Sequence, residues 1–275
     1  MRQRRFLQVD VFGAEPYDGN PVAVVVDGEG LSTEEMQRFA AWTNLSETTF
    51  LLPPTVTDAD YRVRIFTPGE ELPFAGHPTL GSAHAWLATG GTPADRARLV
   101  QECGIGRVEL RQREGRWSFA APPLRRYETP DAATLARAVE ALGLTTEDVL
   151  AASWVDNGPP WLALRLASAE AVLAVSPRYA LFGDLFLGVV AAPGNGGADA
   201  EVRAFVADIG EDPVTGSLNA GLATWLTDTG VLSAPYVAAQ GTALGRAGRV
   251  HVAAADGHLW VGGRTTTAIA GTVAL

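Results

Sequence analysis

The sequence predicts an α+β protein built from two similar domains, and three observations lead to that class. Strand-like alternation recurs along the chain, from residues 5–12 to 268–275. Two helical stretches, one from about Thr79 and one from about Gly216, are apolar or small on nearly every face, which places them inside the protein. A pattern also occurs twice: His77-Pro78-Thr79-Leu80-Gly81-Ser82 and Asp212-Pro213-Val214-Thr215-Gly216-Ser217 match in Pro, Gly and Ser at a spacing of 135. Each copy is preceded by Arg-x-Phe, at Arg64-Ile65-Phe66 and Arg203-Ala204-Phe205. A repeat of about half the chain length implies two domains of like build, divided at Pro122-Pro123 into 1–123 and 124–275, with the final strand at about 266–275 returning to the first. The two helix N-termini are then expected to face one another across a cleft, where free N–H groups attract a carboxylate or a developing negative charge.

In order, RFLQVDVF at 5–12 reads as a strand, and Gly19-Asn20-Pro21 turns the chain into a second at 22–26. Ser32-Thr33-Glu34-Glu35 is a capping box that starts a helix with Met36, Phe39, Ala40 and Trp42 on its apolar face, ending near Asn44. Glu47 follows, at the head of a β-branched and aromatic run. A carboxylate there has a distant partner, a function, or a place facing solvent on an edge strand, because a lone buried charge is costly and raises its own pKa. The strand at 61–66 is interrupted by Pro68-Gly69 and Pro73, and Gly76-His77-Pro78 sets a prolyl ring at the first helical position. Strands follow at 98–102, 105–113 and 116–121, with Glu114-Gly115 as a hairpin turn. Helices are expected at 131–142 and 145–152, the second started by Thr145-Thr146-Glu147-Asp148. Asn157-Gly158-Pro159-Pro160 leads into a strand at 161–166, and the glycine-rich 193–197 is a plain connection. After the second buried helix comes a strand meander with glycine turns, in which His251 and His258 are strand-face residues.

Composition excludes several chemistries. The 275 residues carry a net charge of −10 with 47% hydrophobic content, which supports a sizeable core and argues against a nucleic-acid partner. All 21 basic residues are arginine, so lysine Schiff bases and a Walker-A lysine are absent. With one cysteine, Cys103, read as structural, two-thiol racemisation and a disulfide framework are impossible within the chain. The four histidines show no recognised metal spacing, and neither a metal nor an organic cofactor is expected. No apolar run reaches membrane-spanning length and no secretory pattern opens the chain, so a cytoplasmic protein is expected.

Five ordered motifs, VDVFGAEPYDGNPVAVV, SETTFLLPP, FTPGEELPFAGHPTLGSA, GEDPVTGSLNAGLATWL and QGTALGRAGRVHV, resemble the PhzF family, named for the isomerase of phenazine biosynthesis. The resemblance implies a diaminopimelate-epimerase-like fold: two pseudo-symmetric domains, each with a β-barrel-like sheet around a central helix, and the site between them. It implies Glu47 as catalytic acid/base, with His77, Asp212 and Ser217 around a small-molecule substrate. Gly76 and Gly216 are similar to backbone-contact positions, and Ser46 and Asn20 are carried over with them. A homodimer is implied too. The expected chemistry is a cofactor-independent proton shift on a small unsaturated carboxylate derived from an amino acid, in specialised metabolism. Trans-2,3-dihydro-3-hydroxyanthranilate and an alkylproline-type precursor are both candidates. Glu47, with its pKa raised by an apolar cleft, would take the proton and return it. Two alternatives stay open: an epimerase or racemase using Glu47 and Asp212 as opposed bases, and a binding protein that keeps the fold without catalysis.

Overall fold

The structure, a computed structural model, describes residues 2–275, which divide into two compact units. One runs as far as Ala120 and takes back Gly262–Leu275; the other is Ala121–Val261.

In the first unit β1 (Gln3–Val11) and β2 (Asn20–Val25) are antiparallel, with Val11 opposite Asn20. Helix α1 (Thr33–Thr43) then carries the chain to β3 (Thr48–Leu52), which lies parallel to β2 as a helical crossover requires. The Ser32 capping box forms as the sequence predicts, and Asn44 closes α1 in the left-handed region at φ 55°. Met36, Phe39 and Ala40 bury its apolar face against Val25, Phe50 and Phe66. β4 (Tyr61–Phe66) returns antiparallel to β3 and folds through β5 (Glu71–Leu72) into α2 (Gly76–Ala88). β6 (Arg98–Cys103) runs parallel to β4, and β7 (Gly106–Arg113) and β8 (Arg116–Ala120) follow antiparallel. The turn between the last two has Glu114 and Gly115 at φ 51° and 75°, the both-positive geometry of a tight hairpin.

Helix α2 touches β1, β2, β3, β4, β6 and β8, so the sheet curls around it, and every residue from Gly76 to Ala83 is buried. It begins at Gly76, so Pro78 is its third residue and not its first; the ring still lies in the first turn, where an N–H would have no intrahelical acceptor.

The second unit opens with α3 (Ala132–Ala141), capped by Asp131. The helix expected over 145–152 does not form. The Thr145 capping box is present but sustains one 3-10 turn, Thr146–Asp148, because the Leu150 N–H donates to the Arg165 carbonyl and the chain continues as a strand. That strand is β9 (Ala151–Trp154), antiparallel to β10 (Trp161–Arg165). Helix α4 (Ala169–Ala174) crosses to β11 (Phe186–Ala191), parallel to β10. β12 (Ala200–Val206) returns antiparallel and folds through β13 (Gly210–Asp212) into α5 (Gly216–Asp228). β14 (Tyr236–Gln240) lies parallel to β12, and β15 (Gly248–Ala255) lies antiparallel to β14. After β16 (His258–Gly263), β17 (Thr265–Ala274) pairs with β1 along its whole length and also touches α2, completing the first unit.

The order strand, helix, parallel strand, returning strand, short strand, buried helix, parallel strand, antiparallel strand therefore occurs twice, as β2 to β7 and as β10 to β15. The repeat is real, but its spacing is not 135. Helices α2 and α5 are both 13 residues long and start 140 positions apart, which matches Gly76 to Gly216, Gly81 to Gly221 and Thr89-Gly90 to Thr229-Gly230. Gly81 and Gly221 show why the match falls there. A Cβ on Gly81 would come within 2.3 Å of the Val22 side chain in β2, and one on Gly221 within 2.6 Å of the carbonyl of Val155, just past β9, so both helices need glycine for their close approach to the neighbouring chain. The Pro-x-x-Gly-Ser match sets residues of the first turn of α2 against residues that precede α5.

The Arg-x-Phe motif is a clamp in each unit. Arg64 lies 5.1 Å from the centre of the Phe66 ring and pairs with Glu71 at 2.6 Å, and Arg203 lies 4.9 Å from that of Phe205 and pairs with Glu211 at 2.8 Å. Arg64 also donates to Thr33 at the start of α1, whereas Arg203 donates to the carbonyls of Val172, Leu173 and Val175 around the end of α4. Among the described residues no helix is long and apolar enough to cross a membrane.

Candidate active site

Glu47 stands one residue before β3, in the connection Asn44-Leu45-Ser46-Glu47 that leaves α1. That connection is held at both ends: the Thr43 and Thr48 hydroxyls lie 2.7 Å apart, and the Ala23 N–H donates to the Glu47 carbonyl at 3.4 Å. Ser46 lies in the same connection, half-buried. His77 is the second residue of α2, and its Nε2 lies 3.3 Å from Oε2 of Glu47, with 5% and 15% of the two side chains exposed. Burial pushes the imidazole down to about 3, against a smaller opposing effect of a hydrogen bond to the Pro21 carbonyl. At neutral pH the contact is therefore between a carboxyl group and a neutral imidazole, and not an ion pair. With Nε2 turned to Glu47, Nδ1 is the nitrogen that donates to Pro21.

The Pro21 carbonyl is fixed by a loop that is itself braced. The buried carboxylate of Asp10 accepts the Gly19 N–H at 2.8 Å, and a Cβ on Gly19 would come within 2.0 Å of the Val11 carbonyl, so only glycine fits there. Asn20 follows, fully buried, as the first residue of β2. The start of α2 is held by residues that sequence reasoning missed. Gln101 on β6, fully buried, donates to Thr79 at 3.0 Å and accepts from the Tyr61 hydroxyl at 3.1 Å. The half-buried thiol of Cys103 is pushed up by burial, as suits a structural residue.

The second unit repeats the arrangement with different groups. Ser217 is the second residue of α5, where α2 has His77. Its Oγ accepts from the Trp161 indole N–H at 2.9 Å, and its carbonyl accepts from Asn157 at 2.8 Å. Gln240 on β14 takes the part of Gln101: Asn219 donates to its Oε1 at 2.8 Å, and its Nε2 donates to the Thr215 hydroxyl at 2.9 Å. Thr215 in turn donates to Asp212 Oδ2 at 2.5 Å. Asp212 ends β13, four residues before α5, and this chain of donors directs a proton at its carboxylate. The signal that could have found the two glutamines is their place, 25 and 24 residues after the helix starts at Gly76 and Gly216, inside apolar strands.

Gly76 and Gly216 are the first residues of α2 and α5. Neither helix has a side-chain cap, the preceding residues being Ala75 and a Thr215 whose hydroxyl is committed to Asp212. By contrast α1, α3 and α4 are capped by Ser32, Asp131 and Ser168. The two buried helices thus carry first-turn N–H groups with no side-chain acceptor supplied, the positive end of a dipole suited to an anionic group.

A carboxyl group against a neutral imidazole, at the uncapped start of a buried helix, is the equipment of an enzyme that moves protons by acid/base chemistry. The fold is shared with a hydroxyproline epimerase from Agrobacterium vitis over 100% of this chain and 93% of that one, with a TM-score of 0.62 at 13% identity. The chain belongs to the PhzC-PhzF family of phenazine biosynthesis-like proteins, whose model matches residues 9–274. A PhzF-family crystal structure from Enterococcus faecalis matches over the full length of both chains, with a TM-score of 0.83 and 26% identity. Among curated relatives, antisense-enhancing sequence 1 of Schizosaccharomyces pombe is 36% identical over 98% of this chain and 99% of its own. The trans-2,3-dihydro-3-hydroxyanthranilate isomerase of Pseudomonas fluorescens is 33% identical over 88% of this chain and 87% of its own. The protein is an isomerase or epimerase of this family.

Proposed function

We propose that the protein is a cofactor-independent isomerase in which Glu47 takes a proton from one carbon of a small unsaturated carboxylate and returns it to another. The observation that carries this reading is the 3.3 Å contact of Glu47 with the buried, neutral His77. A neutral imidazole leaves the carboxyl group outside an ion pair, free to take a proton from the substrate and return it. Removal of the proton leaves the electron pair spread into the adjoining double bonds and carbonyl, and the same carboxyl then delivers the proton to the far end of that system. The negative charge that develops is met by first-turn N–H groups. His77 assists Glu47, while Asn20, Ser46, Gly76, Asp212, Gly216 and Ser217 hold the substrate.

The test is a proton NMR and absorbance time course with trans-2,3-dihydro-3-hydroxyanthranilate in D2O, for the wild type and Glu47→Gln. Conversion by the wild type alone, with deuterium incorporated at the receiving carbon, is the expected result. Equal conversion by Glu47→Gln would overturn the role of Glu47. A folded wild type that leaves this compound unchanged would reject it as the substrate and move the search to other conjugated amino-acid derivatives, the alkylproline type among them.

A further inference from the structure

The second position of each central helix is held by one of the first two residues of an equivalent strand, β2 or β10, and the two are held with opposite polarity. In the first unit that segment offers His77 an acceptor, the Pro21 carbonyl. In the second it offers Ser217 a donor, the indole N–H of Trp161 at 2.9 Å. Resting on the isomerase reading, we infer that Trp161 is a positioning residue that makes Ser217 a hydrogen-bond donor to an oxygen acceptor of the substrate, a carboxylate or carbonyl group.

The argument is one of lone pairs and protons. An indole nitrogen only donates, so Ser217 Oγ receives on the side of Trp161 and its own proton points elsewhere. Among the described residues no protein group accepts that proton, although Ser217 is half-buried. Trp161 cannot easily turn away. It is 3% exposed, stands edge-on to Phe186 with ring centres 5.4 Å apart, and lies in the β10 ladder opposite Phe186. Asn157 holds the Ser217 carbonyl at 2.8 Å, which fixes the backbone from which the hydroxyl projects. With Trp161 taking up one lone pair of Oγ, the hydroxyl proton is left for a group that accepts, as a carboxylate or carbonyl oxygen does.

The experiment uses protein labelled with 15N at its seven tryptophans, with the Trp161 indole signal assigned by its loss in Trp161→Phe. Anthranilate, a carboxylate that does not react, serves as the probe. Ser217→Ala should shift the Trp161 indole signal upfield and speed its exchange with solvent, and anthranilate should move that signal in the wild type but not in Ser217→Ala. Trp161→Phe, which keeps an aromatic ring in place, should weaken anthranilate binding by about 2–10-fold, as for loss of one hydrogen bond. The double variant should bind no more weakly than Ser217→Ala alone. An indole signal indifferent to Ser217→Ala, or one that anthranilate does not move in the wild type or moves equally without Ser217, would overturn the inference. So would wild-type binding by Trp161→Phe. Should Trp161→Phe fail to fold, the Ser217→Ala spectra decide the matter. None of these measurements needs turnover, so a failure of the isomerase reading, seen as catalysis indifferent to Glu47, is distinguishable from a failure here.

Discussion

The two units are built alike and equipped differently. Each wedges a buried helix against its sheet with a glycine, Gly81 or Gly221, clamps its returning strand with an Arg–Glu pair, and latches the helix start with a glutamine, Gln101 or Gln240. What differs is the second residue of the helix and its surroundings: His77 beside Glu47 in one, Ser217 under Trp161 in the other. The duplicated features stabilise the scaffold, and the unmatched ones carry the candidate chemistry. Substitutions at matched positions should therefore act on stability, and those at unmatched positions on turnover.

The largest contrast is expected at Glu47. Glu47→Gln should lower turnover by at least about 10²-fold while leaving the melting temperature near that of the wild type, since general acid/base catalysis contributes that much or more. Loss of folding instead would make Glu47 part of the scaffold. Next come the clamps. Arg203→Met leaves Glu211, 9% exposed, and three carbonyls without their donor, and should cost about 3–5 kcal/mol in urea unfolding. Arg64→Met, in a pair whose Glu71 is 37% exposed, should cost about 1 kcal/mol or less. Equal losses would break the view that the second clamp is the structural one.

Acid should weaken the first unit through His77. Its folded value of about 3 lies below the ordinary 6.5, so the unfolded chain binds the extra proton first. That contribution is complete above about pH 6.5 and is lost as the pH falls toward 3, a matter of a few kcal/mol. Thermal melts from pH 7 to 4 should fall less steeply for His77→Gln than for the wild type. The smallest contrast concerns the glycines: alanine at either should destabilise by about 1–3 kcal/mol. The two should cost alike, because the methyl of Gly221→Ala meets a backbone carbonyl and that of Gly81→Ala the fully buried, β-branched Val22.

Much of this was legible in the sequence, and the failures have physical causes. Ser32 caps a helix where expected, because a cap is a local interaction that short-range pattern reports. Thr145 caps as well, yet tertiary pairing of β9 with β10 overrides the helix that the cap announces. Helix α4, six residues long, is too short for any periodicity to mark. The repeat was visible from Arg64-x-Phe66 and Arg203-x-Phe205 but was set in the wrong register, because identical letters at Pro-x-x-Gly-Ser outweighed the glycines that the packing requires. Glu47 and His77 could be singled out by type and motif. Gln101 and Gln240 are marked only by their place after the helix starts, and Trp161 and Asn157 by nothing, since their roles depend on strands that meet the helix starts only in three dimensions.

The pairing of β1 with β17 sets an order of events during synthesis. Residues 121–261 are contiguous and can close on themselves as they leave the ribosome, whereas the unit that holds Glu47 and His77 waits for a strand made more than 250 residues after its first. The unit that holds the candidate active site is thus translated for the most part ahead of residues 121–261 and completed after them.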